Sequence, residues 1–125
     1  MAARRRRVLI ADDHPDLVKA ITRVLMLDYE VVGVVADGSA VLEATQRLQP
    51  DVVVVDLNLP TVNGLDACRQ ITQRNPETKV ILFTAMDDPY LRQRALEVGA
   101  AAFVCKVAGD CDLLATIDRL FKEPG

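Results

Sequence analysis

The chain is poor in the residues that build most metal and redox centres. Among its 125 residues histidine occurs once, as His14, and the three cysteines, Cys68, Cys105 and Cys111, show no C-x-x-C spacing. That scarcity argues against a zinc site of thiolates and imidazoles. An odd cysteine count likewise does not make a disulfide framework, which points to a reducing compartment. Long apolar runs are missing too. The stretch at 8–11 is far too short for a signal-peptide core or a membrane span, so the expected setting is cytoplasmic, with no membrane partner.

An excess of positive charge is also lacking. Fifteen Lys and Arg stand against eighteen Asp and Glu, for a net charge of −3, whereas binding a phosphate backbone needs concentrated positive charge. No direct contact of this segment with nucleic acid is therefore expected. The local exception is the run Arg4, Arg5, Arg6, Arg7, with no interleaved aromatic; it reads as a solvated basic lead-in (1–7) to the first strand. No G-x-x-x-x-G-K-[ST] loop occurs, which removes a P-loop nucleotide binder. There is no internal repeat and no low-complexity segment.

What is present is alternation. Half of the residues are hydrophobic, and a chain of this length folds as one domain burying roughly two-thirds of its unfolded surface. Apolar runs rich in Val and Ile stand at 8–11, 31–35, 52–55, 80–83 and 101–105. They are nearly continuous, as strands covered on both faces are. Helical spacing fills the intervals. Leu17, Ile21, Val24 and Leu25 follow Pro15 in a first-turn position. Val41, Leu42, Ala44 and Leu48 follow Ser39, the expected cap, with Pro50 after the end. Leu65, Cys68 and Ile71 stripe a third helix, which makes Cys68 a small core residue. Asp87 or Asp88 before Pro89 opens a fourth, with Leu91, Ala95 and Val98, ending at Gly99. Asp110 opens a fifth, with Leu113, Leu114, Ile117, Leu120 and Phe121.

Five strands, each followed by a helix, require a parallel, doubly wound α/β sheet with right-handed crossovers and helices on both faces. Ligand sites in such folds lie at the carboxyl ends of the strands. At those ends stand Asp12 and Asp13, then Asp56 with Leu57, Asn58, Leu59 and Pro60, then Thr84 and Ala85, then Lys106. Taken singly, each has an ordinary reading: a strand-terminal Asp is commonly a turn former, and a Lys is usually solvated. Together, at one edge, they carry chemistry. Three adjacent carboxylates repel unless protonated or bridged by a cation, and hard oxygen donors suit Mg²⁺. A bound cation and Lys106 would neutralise the oxygens of a transferring phosphoryl group. Asp56, which ends a central strand, is the candidate nucleophile and phosphoacceptor.

These residues resemble the receiver domains of bacterial two-component response regulators, from about Val8 to Phe121. The carriers are Asp12 and Asp13, the run from Val52 to Pro60 with Asn63 and Gly64, Thr84 with Ala85, and Lys106. The phrases Asp12, Asp13, His14, Pro15, then Val32 to Gly38, then Lys106, Val107, Ala108 resemble NarL/FixJ-type regulators.

The resemblance implies a (βα)5 flavodoxin-like, CheY-like fold with strand order 2-1-3-4-5, a receiver domain over 8–122, and a tail or linker start at 123–125. It implies phosphorylation of Asp56 by a sensor histidine kinase or phosphotransfer protein. It also implies Mg²⁺ held by Asp12, Asp13, Asp56 and the carbonyl of Asn58, and phosphoryl contacts from Lys106, Thr84 and Ala85. Thr84 and Phe103 take the place of the switch pair. A homodimer on phosphorylation and control of transcription through a separate output domain are further expectations, the chain itself being a switch rather than an enzyme.

Two departures stand out. Val107 replaces the proline that often follows the conserved lysine, which leaves the Lys106–Val107 peptide geometry open. His14 stands where many relatives carry an acid; it has two readings, tuning of metal affinity and a helix-terminal surface histidine, of which the second is favoured. Two alternatives remain: a phosphorylation-independent interaction module of the same fold, and an aspartyl-phosphate hydrolase. The hydrolase is opposed by Asn58, which stands where a proton-donating acid is needed.

Overall fold

The computed structural model describes residues 5–86, 88–106 and 111–121, and backbone alone at 111 and 112. Among the described residues ten elements alternate: β1 (Arg7–Ala11), α1 (Pro15–Leu25), β2 (Glu30–Val35), α2 (Gly38–Leu48), β3 (Val52–Asp56), α3 (Gly64–Arg74), β4 (Lys79–Thr84), α4 (Pro89–Glu97), β5 (Ala102–Cys105) and α5 (Cys111–Phe121). The strands form one parallel sheet in the order β2-β1-β3-β4-β5.

Burial explains the continuous apolar runs. Residues Val52 to Val55 are at most 1% exposed, because β3 sits at the middle of the sheet with helices above and below. Side chains alternate between the faces. Leu9, Val53, Val55, Val80 and Leu82 pack with Val41 and Ala44 of α2, Ala67, Cys68 and Ile71 of α3, and Ala95 of α4. Val8, Ile10, Val52, Val54, Ile81 and Phe83 pack instead with Ile21 and Leu25 of α1 and Leu113 and Ile117 of α5. Cys68 is fully buried, as its helical spacing predicted, and burial pushes its thiol up to about 12.

The helix starts follow the capping rules, with one difference. Asp88 caps α4 by accepting the Tyr90 N–H, and Asn63 caps α3 by accepting that of Asp66. For α2 the cap is Asp37, not Ser39: Asp37 is extended and its carboxylate accepts the Ala40 N–H, while the Ser39 N–H goes to the Thr61 hydroxyl. A carboxylate at the positive end of a helix outcompetes a hydroxyl two residues on, already inside the first turn. Asp110, the expected opening of α5, Asp87 and Val107 lie outside the described residues.

The arginine run is not merely solvated. Arg5 donates to the Met26 carbonyl, Arg6 lies over the Phe121 ring at 4.6 Å, and Arg7 donates to the carbonyls of Leu48 and Gln49. These three fasten the amino edge of the sheet to the ends of α1, α2 and α5; Arg4 lies outside the described residues. No helix among the described residues is long and apolar enough to cross a membrane.

Candidate functional site

Parallel register delivers the acids to one place. Ala11 pairs with Val55, and Asp56 with Phe83, so the residues that follow β1 and end β3 emerge side by side. By the alternation of each strand, Asp12 continues the row of Val8 and Ile10, Asp56 that of Val52 and Val54, and Lys106 that of Val104. All three belong to the α1–α5 face.

The loop after Asp56 is held by two close approaches. A Cβ on Gly64 would stand 2.6 Å from the Asp56 carbonyl oxygen and 2.6 Å from Leu57 Cα; one on Gly38 would stand 2.0 Å from the Val62 oxygen. Only glycine lets α3 and α2 begin against this backbone. Hydrogen bonds from Gly64 N–H to Leu57 O and from Gly38 N–H to Pro60 O, both 2.9 Å, complete the clamp.

Asp12 and Asp56 are buried, with side chains 2% and 3% exposed, whereas Asp13 is 40% exposed at the rim. Lys106 Nζ lies 2.8 Å from Asp12 Oδ2 and 3.3 Å from Asp56 Oδ2, and 5.4 Å from the centre of the Phe83 ring beneath it. Neither carboxylate oxygen accepts a hydrogen bond of good angle, and the ammonium lies beside both as an ion-pair partner. Asp56 Oδ1 accepts the Asn58 N–H at 3.1 Å. For Asp12, burial pushes the carboxyl up. The Lys106 ammonium and the His14 contacts outweigh it and hold the group below the ordinary carboxylate range.

His14 is the residue that sequence reasoning undervalued. It is helix-terminal and its side chain is 60% exposed, as expected. Yet it makes no side-chain cap. Its Nδ1 lies 2.6 Å from Asp12 Oδ1, 3.4 Å from Asp13 Oδ1 and 3.5 Å from Asp56 Oδ2. Its position one residue after a pair of acids at a strand end was the available signal.

The other expected residues surround this cluster. Thr84 is fully buried and its hydroxyl accepts the Met86 N–H at 3.1 Å. Ala85 is exposed and lines an open cleft of about 520 Å³ with Asp13, His14, Pro15 and Lys106. Asn58 is exposed beside Asp56. Phe103 is half-buried, packed on the α2–α3–α4 side of the core, with the Arg92 guanidinium 4.8 Å over its ring. The structure thus brings Asp12, Asp13, Asp56, Lys106 and His14 together. Thr84 and Phe103 lie on the opposite face of the sheet.

A divalent cation suits the donors. One oxygen from each of Asp12, Asp13 and Asp56 and the His14 nitrogen all lie within 4.8 Å of one another, and Asp56 Oδ2 is buried without a hydrogen-bond donor. Carboxylate oxygens with solvent access at the rim are what Mg²⁺ selects.

The chain is similar to known proteins over nearly its whole length. Residues 8–118 match the family model described as the response regulator receiver domain. The response regulator GacA of Pseudomonas viridiflava is 37% identical over 118 residues, covering 92% of this chain and 55% of its own. The signal receiver domain of a NarL response regulator from Mycobacterium tuberculosis superimposes with a TM-score of 0.89 at 30% identity, covering 94% of this chain and 97% of that one. The isolated receiver domain of RcsB from Salmonella enterica serovar Typhimurium, solved in the presence of the phosphomimetic BeF3⁻, gives 0.86 at 26% identity, covering 93% and 88%. The chain spans about half the length of the curated relatives it matches.

Proposed function

From the premise that this chain belongs to the response regulator receiver-domain family, we propose that it accepts a phosphoryl group on Asp56 in a Mg²⁺-dependent reaction. The family consists of signalling switches in two-component systems, not enzymes acting on metabolites. The observation that carries the reading is Asp56 Oδ2: buried, accepting no hydrogen bond, 3.3 Å from an ammonium and beside two further carboxylates.

The donor is the phosphohistidine of a sensor histidine kinase or a phosphotransfer protein. An Asp56 oxygen attacks phosphorus, the bond to the donor nitrogen breaks, and the electron pair leaves with the imidazole. Asp12, Asp13, Asp56 and the Asn58 carbonyl would hold Mg²⁺, which supplies charge neutralisation for the carboxylates and the phosphoryl oxygens. Lys106 moves its ion pair from Asp56 to the new phosphoryl group. The Ala85 N–H and the Thr84 hydroxyl complete its cradle, for which Thr84 releases the Met86 N–H. Slow hydrolysis of the acyl phosphate resets the site.

Movement of Thr84 then alters the surface of α4, β5 and α5, with Phe103 as the second switch residue. That surface is the place for a partner or for pairing of two copies on phosphorylation. The RcsB receiver domain was solved with a phosphomimetic, which supports the reading. The curated relatives are about twice as long, and their names include transcriptional regulatory protein and DNA-binding response regulator. Control of transcription in the cytoplasm through an output domain follows as the role of the whole protein. In these terms residues 8–122 are the receiver domain, 1–7 its lead-in and 123–125 the start of a tail or linker.

The test is incubation with a small-molecule phosphodonor and Mg²⁺, read by intact mass. One phosphoryl group is gained by the wild type and none by Asp56→Asn. A gain that survives this substitution overturns the assignment, and no gain in the wild type leaves the phosphorylation-independent interaction module.

A further inference from the structure

The loop between β3 and α3 holds a residue in a backbone conformation that its side chain disfavours. Thr61 has a φ of 68°, in the left-handed region, where a β-branched residue is an outlier. Across it the Val62 N–H closes on the Pro60 carbonyl at 2.9 Å. A bond spanning a single residue of positive φ makes the rarer, strained form of γ-turn. Such strain persists only where the surroundings hold it.

Those surroundings are the start of α2. The Thr61 hydroxyl accepts the Ser39 N–H at 3.1 Å and the Ser39 hydroxyl at 3.3 Å, and donates to Asp37 Oδ1 at 3.4 Å. The Gly38 N–H meets the same turn at the Pro60 carbonyl, at 2.9 Å. Helix α2 therefore grips the turn twice, once by its backbone and once by the Thr61 side chain. On the other arm of the loop, the Asn58 N–H donates to Asp56 Oδ1 at 3.1 Å. The Gly64 N–H bonds Leu57 O at 2.9 Å and ties the ends of the loop together. With its ends tied, the turn at Thr61 sets where the Asn58 peptide lies.

We propose that Thr61 is a positioning residue: its hydroxyl, docked on the start of α2, keeps the strained turn closed and so fixes the Asn58 peptide against Asp56. It acts through Asn58 rather than by contact with a cation. Its effect on Mg²⁺ rests on the reading that the acidic cluster and the Asn58 carbonyl hold that ion.

Four variants separate the hydroxyl from the turn. Thr61→Ser keeps the hydroxyl, and Thr61→Gly lacks it but takes a positive φ without strain. Thr61→Val keeps the strain and loses the hydroxyl; Thr61→Ala does the same more mildly, and replaces it should Thr61→Val fail to fold. Each is checked for native circular dichroism. Two quantities are then read: the Asn58 amide proton shift in metal-free buffer, and the Mg²⁺ dissociation constant by calorimetric titration. Thr61→Val moves the Asn58 proton upfield, as its bond to the carboxylate weakens, and weakens Mg²⁺ binding about fivefold, the worth of one net hydrogen bond. Thr61→Ser and Thr61→Gly stay within about twofold of the wild type. A merely structural Thr61 would lower the urea midpoint of Thr61→Val and move neither quantity. If the wild type binds Mg²⁺ and either quantity is unchanged in Thr61→Val, the proposal is overturned and the cation reading stands. An equal loss in Thr61→Gly overturns it too, since the closed turn would then not be what the site needs. If the wild type binds no Mg²⁺ while the Asn58 shift follows the expected pattern, the cation reading fails and the positioning role stands.

Discussion

Asp51 and Asp56 bracket the same strand and live in opposite circumstances. Asp51, at the amino edge, accepts the Arg7 N–H at 2.8 Å, donates its own N–H to the Arg7 carbonyl and takes the Lys79 N–H on its own carbonyl. One residue knits β1, β3 and β4. Around it the Arg7 guanidinium bonds the Leu48 and Gln49 carbonyls, and the Thr78 hydroxyl bonds that of Pro50. Asp56, at the carboxyl edge, keeps one oxygen without a hydrogen bond among other acids. One edge is complementary within itself. The other holds clustered negative charge that an added cation would offset. Sites that violate local satisfaction in this way are where function costs stability.

The contrast breaks most severely at Lys106. Its ammonium is the charge nearest to both Asp12 Oδ2 and Asp56 Oδ2, with the side chain 11% exposed. Lys106→Met leaves two buried carboxylates without it, and is expected to lower unfolding free energy by about 3 kcal/mol in metal-free buffer. Millimolar Mg²⁺ should restore part of that loss. Urea titration with EDTA and then with Mg²⁺ measures both. A loss below about 1 kcal/mol would show that the carboxylates tolerate one another.

Next comes the direct pair. Asp51→Ala removes an acceptor from a half-buried backbone N–H and should cost about 1–2 kcal/mol, with or without Mg²⁺. Asp56→Asn removes one of three clustered negative charges and should raise stability by about 1 kcal/mol without metal, while abolishing stabilisation by Mg²⁺. Opposite signs for two aspartates of one strand, read by thermal unfolding in EDTA and in Mg²⁺, sharpen the comparison. Equal losses would erase it.

Much of this edge was legible in the sequence. The alternation of Val-rich runs and helical stripes is a direct record of burial on both faces of the sheet, so order and type of the ten elements followed from it. Asp12, Asp13, Asp56 and Lys106 come together because a parallel sheet gathers its strand ends, whereas Thr84 ends its strand on the other face. Three things were not legible, each for a reason of geometry. Capping of α2 by Asp37 rather than Ser39 depends on which backbone turns extended, and spacing does not set that. Docking of Arg5, Arg6 and Arg7 needs carbonyls at 26, 48 and 49 and the Phe121 ring, all distant in sequence. The His14 ring could point to solvent or to the acids, and its place in the chain allows both.

The smallest effect concerns acid. Asp12 titrates below the ordinary carboxylate range in the folded chain, because the Lys106 and His14 contacts overcome its burial. A carboxyl lowered by folding stabilises the native state above its unfolded value, near 3.9, and loses that contribution as pH falls through the lower folded value. In metal-free buffer the wild type should therefore lose stability on acidification below about pH 4 more steeply than Asp12→Asn, which has no proton to take up at this position. The two proteins should differ less in slope near neutral pH, where Asp12 is ionised in both states. Urea midpoints across the acid range test this. Parallel curves would mean that burial cancels the Lys106 and His14 contacts at Asp12. The carboxyl edge would then be as neutral in its energetics as the amino edge.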